Sequence, residues 1–406
     1  MTTLILKGIF LAGLFVITIA LGRKRYLKGL QFTCWILCGI TAGLCFPEYL
    51  LQWGQINLRD KALLLFIVQA VMFGMGTQLR LGDFAGLKRM RFAVAIGMLG
   101  QFTIMPLMGF ALTHLFQFEP EIAAGLILMG SCSSGLASNV MAYLAGANLA
   151  LSIIMTACAT LLAPIMTPLW MKLLAGELIT VDAWGMMQQI ISIVLIPISA
   201  ALWPEAWKNA GKSGKYLLRL GATSGFIWHF ASACLPAWHS LILEHWGIKL
   251  IGSVLGACLM GSVYHWTIRQ LPTLKEWMPS ISMFGILYFT VVTTAAGQKQ
   301  LLQIGHWLLL AAILHNLAGY VFGYGLGRAC RLDEASSRAI AFEVAMQNGG
   351  MASGLAGGMG KLATVGLAAA IFSPWMNISG SILAYFWSHS ASPHKNTMDP
   401  CDDVLS

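Results

Sequence analysis

The feature that most constrains this chain is where its charges are absent. Uncharged runs cover 8–22, 29–47, 62–79, 92–118, 122–171, 183–204, 220–243, 250–268, 277–298, 300–327 and 362–394. A membrane-crossing helix needs roughly 20 mostly apolar residues. Residues 122–171 are long enough for two such helices, and 339–360 form one more that only Glu343 interrupts. Thirteen spans are therefore expected. The runs are apolar all round instead of alternating, which predicts an all-α polytopic membrane protein and not a β-barrel. Composition agrees: 57% of the 406 residues are hydrophobic and 10% are charged, too few charges to cover a soluble domain. No Lys/Arg run sits on a soluble module, so the net charge of +9 does not point to nucleic acid, and no nucleic-acid partner is expected.

The basic residues orient the spans, because Lys and Arg favour cytoplasmic loops. With the C-terminus inside and 13 alternating spans, 18 of the 25 Lys and Arg fall inside and 7 outside. The expected topology is N-out and C-in, in a cell (inner or plasma) membrane. The 8–22 run is followed by Arg23-Lys24-Arg25, whereas a signal peptide carries its charge before the run. An uncleaved anchor helix is expected there, and a disordered cytoplasmic tail over 389–406. The nine cysteines contain no C-x-x-C pair and read as packing residues.

Polar residues inside apolar spans are expensive and therefore informative. Glu343 is the one acid deep within a span, and the stretch Glu343-Val344-Ala345-Met346-Gln347-Asn348-Gly349-Gly350 adds two amides and two glycines. Gly-Gly permits a helix break, which frees backbone carbonyls. Glu343 and Gln347 would share a face if the helix continued that far. Ser131, Ser133, Ser134, Gly135, Ser138 and Asn139 cluster in the middle of the 50-residue uncharged block, and Ser152 and Thr156 follow on the next span. Carboxylate, amide and hydroxyl oxygens suit a hard cation, and on these grounds Na⁺ fits as well as H⁺. Two polar, Gly-interrupted spans in separate halves of a membrane chain point to a secondary transporter built from inverted repeats. Half-helix N-termini at such a crossing would suit an anion.

These residues resemble the bile acid:sodium symporter family. The resemblance is carried by Phe73-Gly74-Met75-Gly76, Leu81-Gly82-Asp83-Phe84 and Gln101-Phe102-Thr103-Ile104-Met105-Pro106. It continues in SSGLASNVMAYLAGANLALS (133–152), LLAPIMTPLW (161–170), LHNLAGY (314–320), EVAMQNGGMASGLA (343–356) and FSPWMNISGSILA (372–384). It spans 31–203 and 278–388. The resemblance implies a ten-helix inverted-repeat (5+5) core with crossed broken helices, in which a mobile core domain packs on a panel domain. It implies one sodium site at Ser138, Asn139, Ser152, Thr156 and Glu343. A second would lie at Gln101, Glu343, Val344, Met346 and Gln347. Substrate contacts would come from Leu136, Ala137, Asn348, Met376 and Asn377. No cofactor is implied beyond Na⁺ as the coupling ion; the partners are sodium ions, a small organic anion and the lipid bilayer.

Three departures stand out. The family's Pro-Gly-Gly-Thr appears as Ser133-Ser134-Gly135-Leu136, and its Trp-His-Asn as Trp375-Met376-Asn377. Both border the family's substrate cavity, which puts its familiar substrates in doubt. About three extra spans accompany the core: the anchor at 4–22, and a pair at 217–237 and 249–269 whose Trp and His residues read as interfacial anchors. The expected organisation is 1–27 anchor, 28–210 first repeat and start of the second, 211–272 inserted pair, 273–388 remainder of the second repeat, and 389–406 tail. The function expected is Na⁺-coupled symport, by alternating access, of a bile-acid-like anion, a steroid conjugate or a small carboxylate such as pantoate. A proton-coupled or effluxing carrier of the same fold is the alternative. A membrane sensor or an intramembrane enzyme, for which His315-Asn316 is the nearest candidate, is the alternative of a different class.

Overall fold

A computed structural model describes residues 2–23, 28–234 and 245–390. The expected tail beyond Ser390, together with Lys24, Arg25 and His239, lies outside the described residues. Apart from a two-residue hairpin pairing Gln52–Trp53 with Ile56–Asn57, the described chain is helical.

The helices are α1 (Thr2–Arg23), α2 (Lys28–Cys45), α3 (Lys61–Gly76), α4 (Leu87–Phe116), α5 (Pro120–Ser131), α6 (Ala137–Leu144), α7 (Leu149–Ala175) and α8 (Ala183–Ala201). A short helix, Trp203–Asn209, follows α8. The remainder are α9 (Lys212–Cys234), α10 (Trp246–Gln270), α11 (Thr273–Ala296), α12 (Gln298–Ala329), α13 (Glu334–Ala345), α14 (Gly349–Gly358) and α15 (Val365–Ser390). Among the described residues seven, α4, α7, α8, α10, α11, α12 and α15, are long and apolar enough to cross a membrane. The other six expected spans are the shorter α1, α2 and α3, the half-helix pairs α5/α6 and α13/α14, and α9. Helix α9 begins earlier than expected and takes up Lys212 and Lys215, which keep its start polar.

Local chemistry sets these boundaries. Asp60, Asn148, Asp182, Asp333 and Asn348 cap α3, α7, α8, α13 and α14 by accepting first-turn N–H groups. Pro197 lacks the N–H that an α-helix requires, and the turn before it, Ile191–Leu195, widens to a π-helix.

Without α1, α9 and α10, five elements remain in each half, and the fourth of each is broken. An odd number of spans inverts the second half relative to the first, and an inserted pair preserves that inversion. Helices α2, α3, α8 and α11 pack together as one layer; α4–α7 and α12–α15 form the other. Helix α1 lies on α2, with Phe15 edge-on to Trp35. The inserted α9 and α10 pack on each other, and α10 packs on the end of α8. Trp228 of α9 lies against Gly252 of α10 within that pair. The Gly319, Gly323 and Gly327 ladder of α12 is a packing face: Cβ atoms there would meet Ala345, Ala341 and Ser337 of α13 at 2.6–3.1 Å.

Candidate functional site

Both broken helices interrupt at the centre of the second layer. Helix α5 ends at Ser131 and α6 starts at Ala137; α13 ends at Ala345 and α14 starts at Gly349. Each interruption frees carbonyls that lipid cannot satisfy. Thr167 Oγ1 donates to the Ser131 carbonyl at 2.7 Å, Gln101 Nε2 to Cys132 at 3.0 Å, and the Asn348 N–H to Ser133 at 2.8 Å. In the second break Gln347 Nε2 donates to Val344 at 2.6 Å, Asn316 Nδ2 to Ala345 at 2.9 Å, and the Gly135 N–H to Met346 at 2.9 Å. The two breaks thus hold each other, with Ser134 and Gln347 paired as an antiparallel bridge.

The second break does not fall where the glycines suggested. It runs over Met346–Asn348, and Gly349-Gly350 open α14 under the Asn348 cap. Because α13 stops at Ala345, Gln347 shares no helical face with Glu343. The absent side chain of Gly349 serves packing: a Cβ would sit 2.1 Å from Ser373 Oγ on α15.

Glu343 is fully buried and collects four hydroxyls from three elements. Ser138 and Ser152 donate to Oε1 at 2.5 and 2.6 Å; Ser134 and Thr156 donate to Oε2 at 2.6 and 2.8 Å. Asn139 turns its Oδ1 to Ser152 at 2.8 Å and to Thr156 at 3.3 Å. Ser138 also meets the Gly135 carbonyl at 2.7 Å, and Thr156 the Ser152 carbonyl at 3.2 Å. With Glu343 ionised and each hydroxyl carrying one hydrogen, no more than four of these eight oxygen–oxygen contacts can be ordinary two-centre hydrogen bonds. The remainder set lone pair against lone pair around a buried carboxylate. A small cation at the centre of such an oxygen set removes that repulsion and offsets the carboxylate charge. All five residues of the first expected set are therefore adjacent. Ser134 is a fourth hydroxyl partner that the expected set omitted; its place in the polar run before Ser138 was the available signal.

A second polar group lies alongside. Gln101 Nε2 donates to Gln347 Oε1 at 2.9 Å, while Gln101 Oε1 is buried with no partner. An unpaired buried acceptor is rare and calls for a water or a cation. Gln101, Val344 and Gln347 are directly connected, and Met346 directs its carbonyl to Gly135. Glu343 spends both oxygens on the first group.

The expected substrate contacts are less of a unit. Leu136 and Ala137 are half-buried at the start of α6. Asn348 Oδ1 accepts the Met351 N–H at 3.0 Å, so it serves as a cap. Met376 is buried on α15, and Asn377 Nδ2 donates to Ser373 of its own helix at 3.0 Å. Both lie on the stretch of α15 that passes the second break, where Gly380 faces Met346.

His315-Asn316 is drawn into structure. His315 Nε2 lies 2.8 Å from the Met105 carbonyl, and Asn316, steadied by Ser379 at 2.6 Å, closes the Ala345 carbonyl. Both outer ends of the crossing are tied to the opposite repeat. The N–H of Asn148, beyond α6, donates to Ala335 of α13 at 3.0 Å. Lys361, beyond α14, pairs with Glu121 of α5, which also accepts from Thr364 at 2.6 Å.

Comparison with known proteins adds to this geometry. A family profile described as the sodium bile acid symporter family matches residues 62–209. The uncharacterized sodium-dependent transporter YocS of Bacillus subtilis is 32% identical over 90% of this chain and 93% of its own. The probable sodium/metabolite cotransporter BASS1, chloroplastic, of Arabidopsis thaliana is 30% identical over 89% of this chain and 74% of its own. These names are those of transporters, not enzymes. Among solved structures, the sodium proton antiporter MjNhaP1 of Methanocaldococcus jannaschii superimposes with a TM-score of 0.55 at 12% identity, over 96% of this chain and 99% of that one. That likeness is one of fold.

Proposed function

Because this chain belongs to the sodium bile acid symporter family and is a multi-pass, sodium-dependent transporter, we propose that it carries an organic anion together with Na⁺ by alternating access. The observation that carries this reading is the oxygen excess around Glu343. Ser138, Asn139, Ser152, Thr156 and Glu343, with Ser134, hold one Na⁺. Gln101, with its unpaired Oε1, the carbonyls of Val344 and Met346, and Gln347 hold a second, which Glu343 offsets from the adjacent group. Both ions sit where the two breaks pair, so their binding fixes the N-termini of α6 and α14. Those ends carry partial positive charge and receive the anion near Leu136, Ala137, Asn348, Met376 and Asn377. The layer of α4–α7 and α12–α15 then rocks against that of α2, α3, α8 and α11. The protein sits in a cell membrane, N-out and C-in.

The test is a thermal-shift screen of purified protein against bile acids, steroid sulfates and short carboxylates, in NaCl and in choline chloride. Coupling is reciprocal, so the substrate should stabilise more in Na⁺, and Na⁺ more with substrate. A substrate whose binding ignores Na⁺ while responding to pH would favour proton coupling and overturn the sodium reading. A narrower expectation concerns Gln101. Replacing it with Ala should raise the Na⁺ concentration for half-maximal uptake by about tenfold, the value of one charge–dipole contact. The Hill coefficient should fall toward one. An unchanged sodium curve would remove Gln101 from the second site.

A further inference from the structure

The two half-helices that follow the breaks hold matching places in the inverted repeats, yet their surroundings differ. Helix α6 packs on α7, α13 and α15, all of its own layer, and its Val140, Tyr143 and Leu144 are more than half exposed. Helix α14 is buried from Gly349 to Gly357, because α3, α8 and α11 of the other layer close over it. That seam is built on missing side chains. Gly354 faces Val68 of α3, and a Cβ on Gly357 would lie 3.3 Å from Leu64. At the start of α15, a Cβ on Gly366 would lie 3.2 Å from Thr293 Cγ2 of α11. Among the described residues, the hydrogen bond from that layer to α14 is a long one, Gln189 Nε2 to the Gly354 carbonyl at 3.4 Å, and the ion pairs lie elsewhere.

Thr293 is the anomaly in the seam. It is fully buried, and its hydroxyl has no hydrogen-bond partner. A helical Thr commonly returns its hydroxyl to the carbonyl one turn back, as Thr290 does to Ile286 at 3.0 Å. A stranded hydroxyl penalises the state that buries it, and the penalty ends where water reaches it. A face of glycines and methyl groups, held by one long hydrogen bond, can part without breaking strong contacts. We propose that Thr293 is a gating residue: its unpaired hydroxyl destabilises the closed seam between α14–α15 and α3–α8–α11, and so keeps that seam able to open. This rests on the alternating-access reading above, in which the side closed here opens in the opposite state. Thr294 supplies the comparison. Its hydroxyl is also buried and unpaired, but its Cβ and Cγ2 face Gly43 of α2, inside one layer. Opening the seam leaves that packing in place, so Thr294 has no such role.

The experiment uses the full chain in detergent with Val68→Cys added, since Val68 is fully buried in the seam. N-ethylmaleimide labelling of each thiol is followed over time by peptide mass spectrometry, in NaCl and in choline chloride. Where reclosing outpaces labelling, the rate reports the open population. Cys132, fully buried within the second layer, is the internal reference. The thiol at position 68 should label about tenfold faster than Cys132, or more. Adding Thr293→Val, which keeps the branched shape and removes the hydroxyl, should slow it by about tenfold, the worth of one stranded polar group. Adding Thr294→Val should leave it within about twofold, as for a change outside the seam. Leu64→Cys, buried on the same helix, is the reporter if Val68→Cys does not purify. The inference is overturned if position 68 labels no faster than Cys132, or if Thr293→Val slows it no more than Thr294→Val does. The expected pattern, seen alike in NaCl and in choline chloride, keeps the gate and counts against sodium coupling, so the two readings fail separately.

Discussion

Sodium-dependent uptake should fall to background in Glu343→Gln, while the variant still inserts, purifies as a single species and unfolds cooperatively. The substitution is close to isosteric. The amide nitrogen replaces one carboxylate oxygen, and the hydroxyls facing it rotate to accept instead of donate, so the local packing survives. The negative charge does not survive. A cation in that oxygen set would be left buried without its counter-charge, at a cost of about 3 kcal/mol, roughly a hundredfold in affinity. The stabilisation of the wild type by NaCl should therefore vanish, and Glu343→Ala should behave likewise. Retention of sodium-dependent uptake within twofold of wild type would sink the proposed mechanism, because Glu343 is the one buried acid among the described residues.

Gly125→Val should fail differently. A Cβ on Gly125 would lie 2.3 Å from the Val365 carbonyl oxygen and 3.0 Å from its carbon. These are backbone atoms at the start of α15 and cannot rotate aside. Helix α5 would have to move off α15, dragging Ser131, Cys132 and Ser133 from their partners in the break. Overpacking of this kind costs about 3 kcal/mol. The outcome is a loss of monodisperse protein and a lower Tm that NaCl raises but does not restore. The two variants thus separate chemistry from packing: one keeps the fold and loses the ion, the other loses the fold. A Gly125→Val protein with wild-type Tm would show that the close approach of α5 to α15 is wrong.

The distribution of charge was enough to read the helices: each expected apolar run is helical among the described residues, and seven of the helices are long and apolar enough to cross a membrane. It was also enough to single out Glu343, because one acid in hydrocarbon needs a reason. The exact place of the second break was not legible. Gly349-Gly350 look like the weak point locally, yet the chain leaves the helix at Met346 because the Met346 carbonyl and the Asn348 N–H have partners in Gly135 and Ser133. Those partners come from the other repeat, and no local propensity encodes them. The same holds for Ser134, whose role as a carboxylate partner depends on a helix about two hundred residues away in sequence. Asn316 stood in the sequence as half of a possible catalytic pair, and tertiary structure made it the partner of a stranded carbonyl.

The mutual pairing of the two breaks also bears on how the protein is made. Ser134 and Glu343 are separated by 209 residues, so the first break is synthesised long before the segment that completes it. During that interval the Ser133 carbonyl and the Gly135 N–H have no backbone partner, and bare lipid is a poor place to wait. The nascent first repeat is therefore expected to keep these groups hydrated until α13 and α14 arrive. Truncations that end before Met346 should accordingly be cleared by membrane proteases as unfinished chains, whereas the two repeats supplied as separate polypeptides should rescue one another.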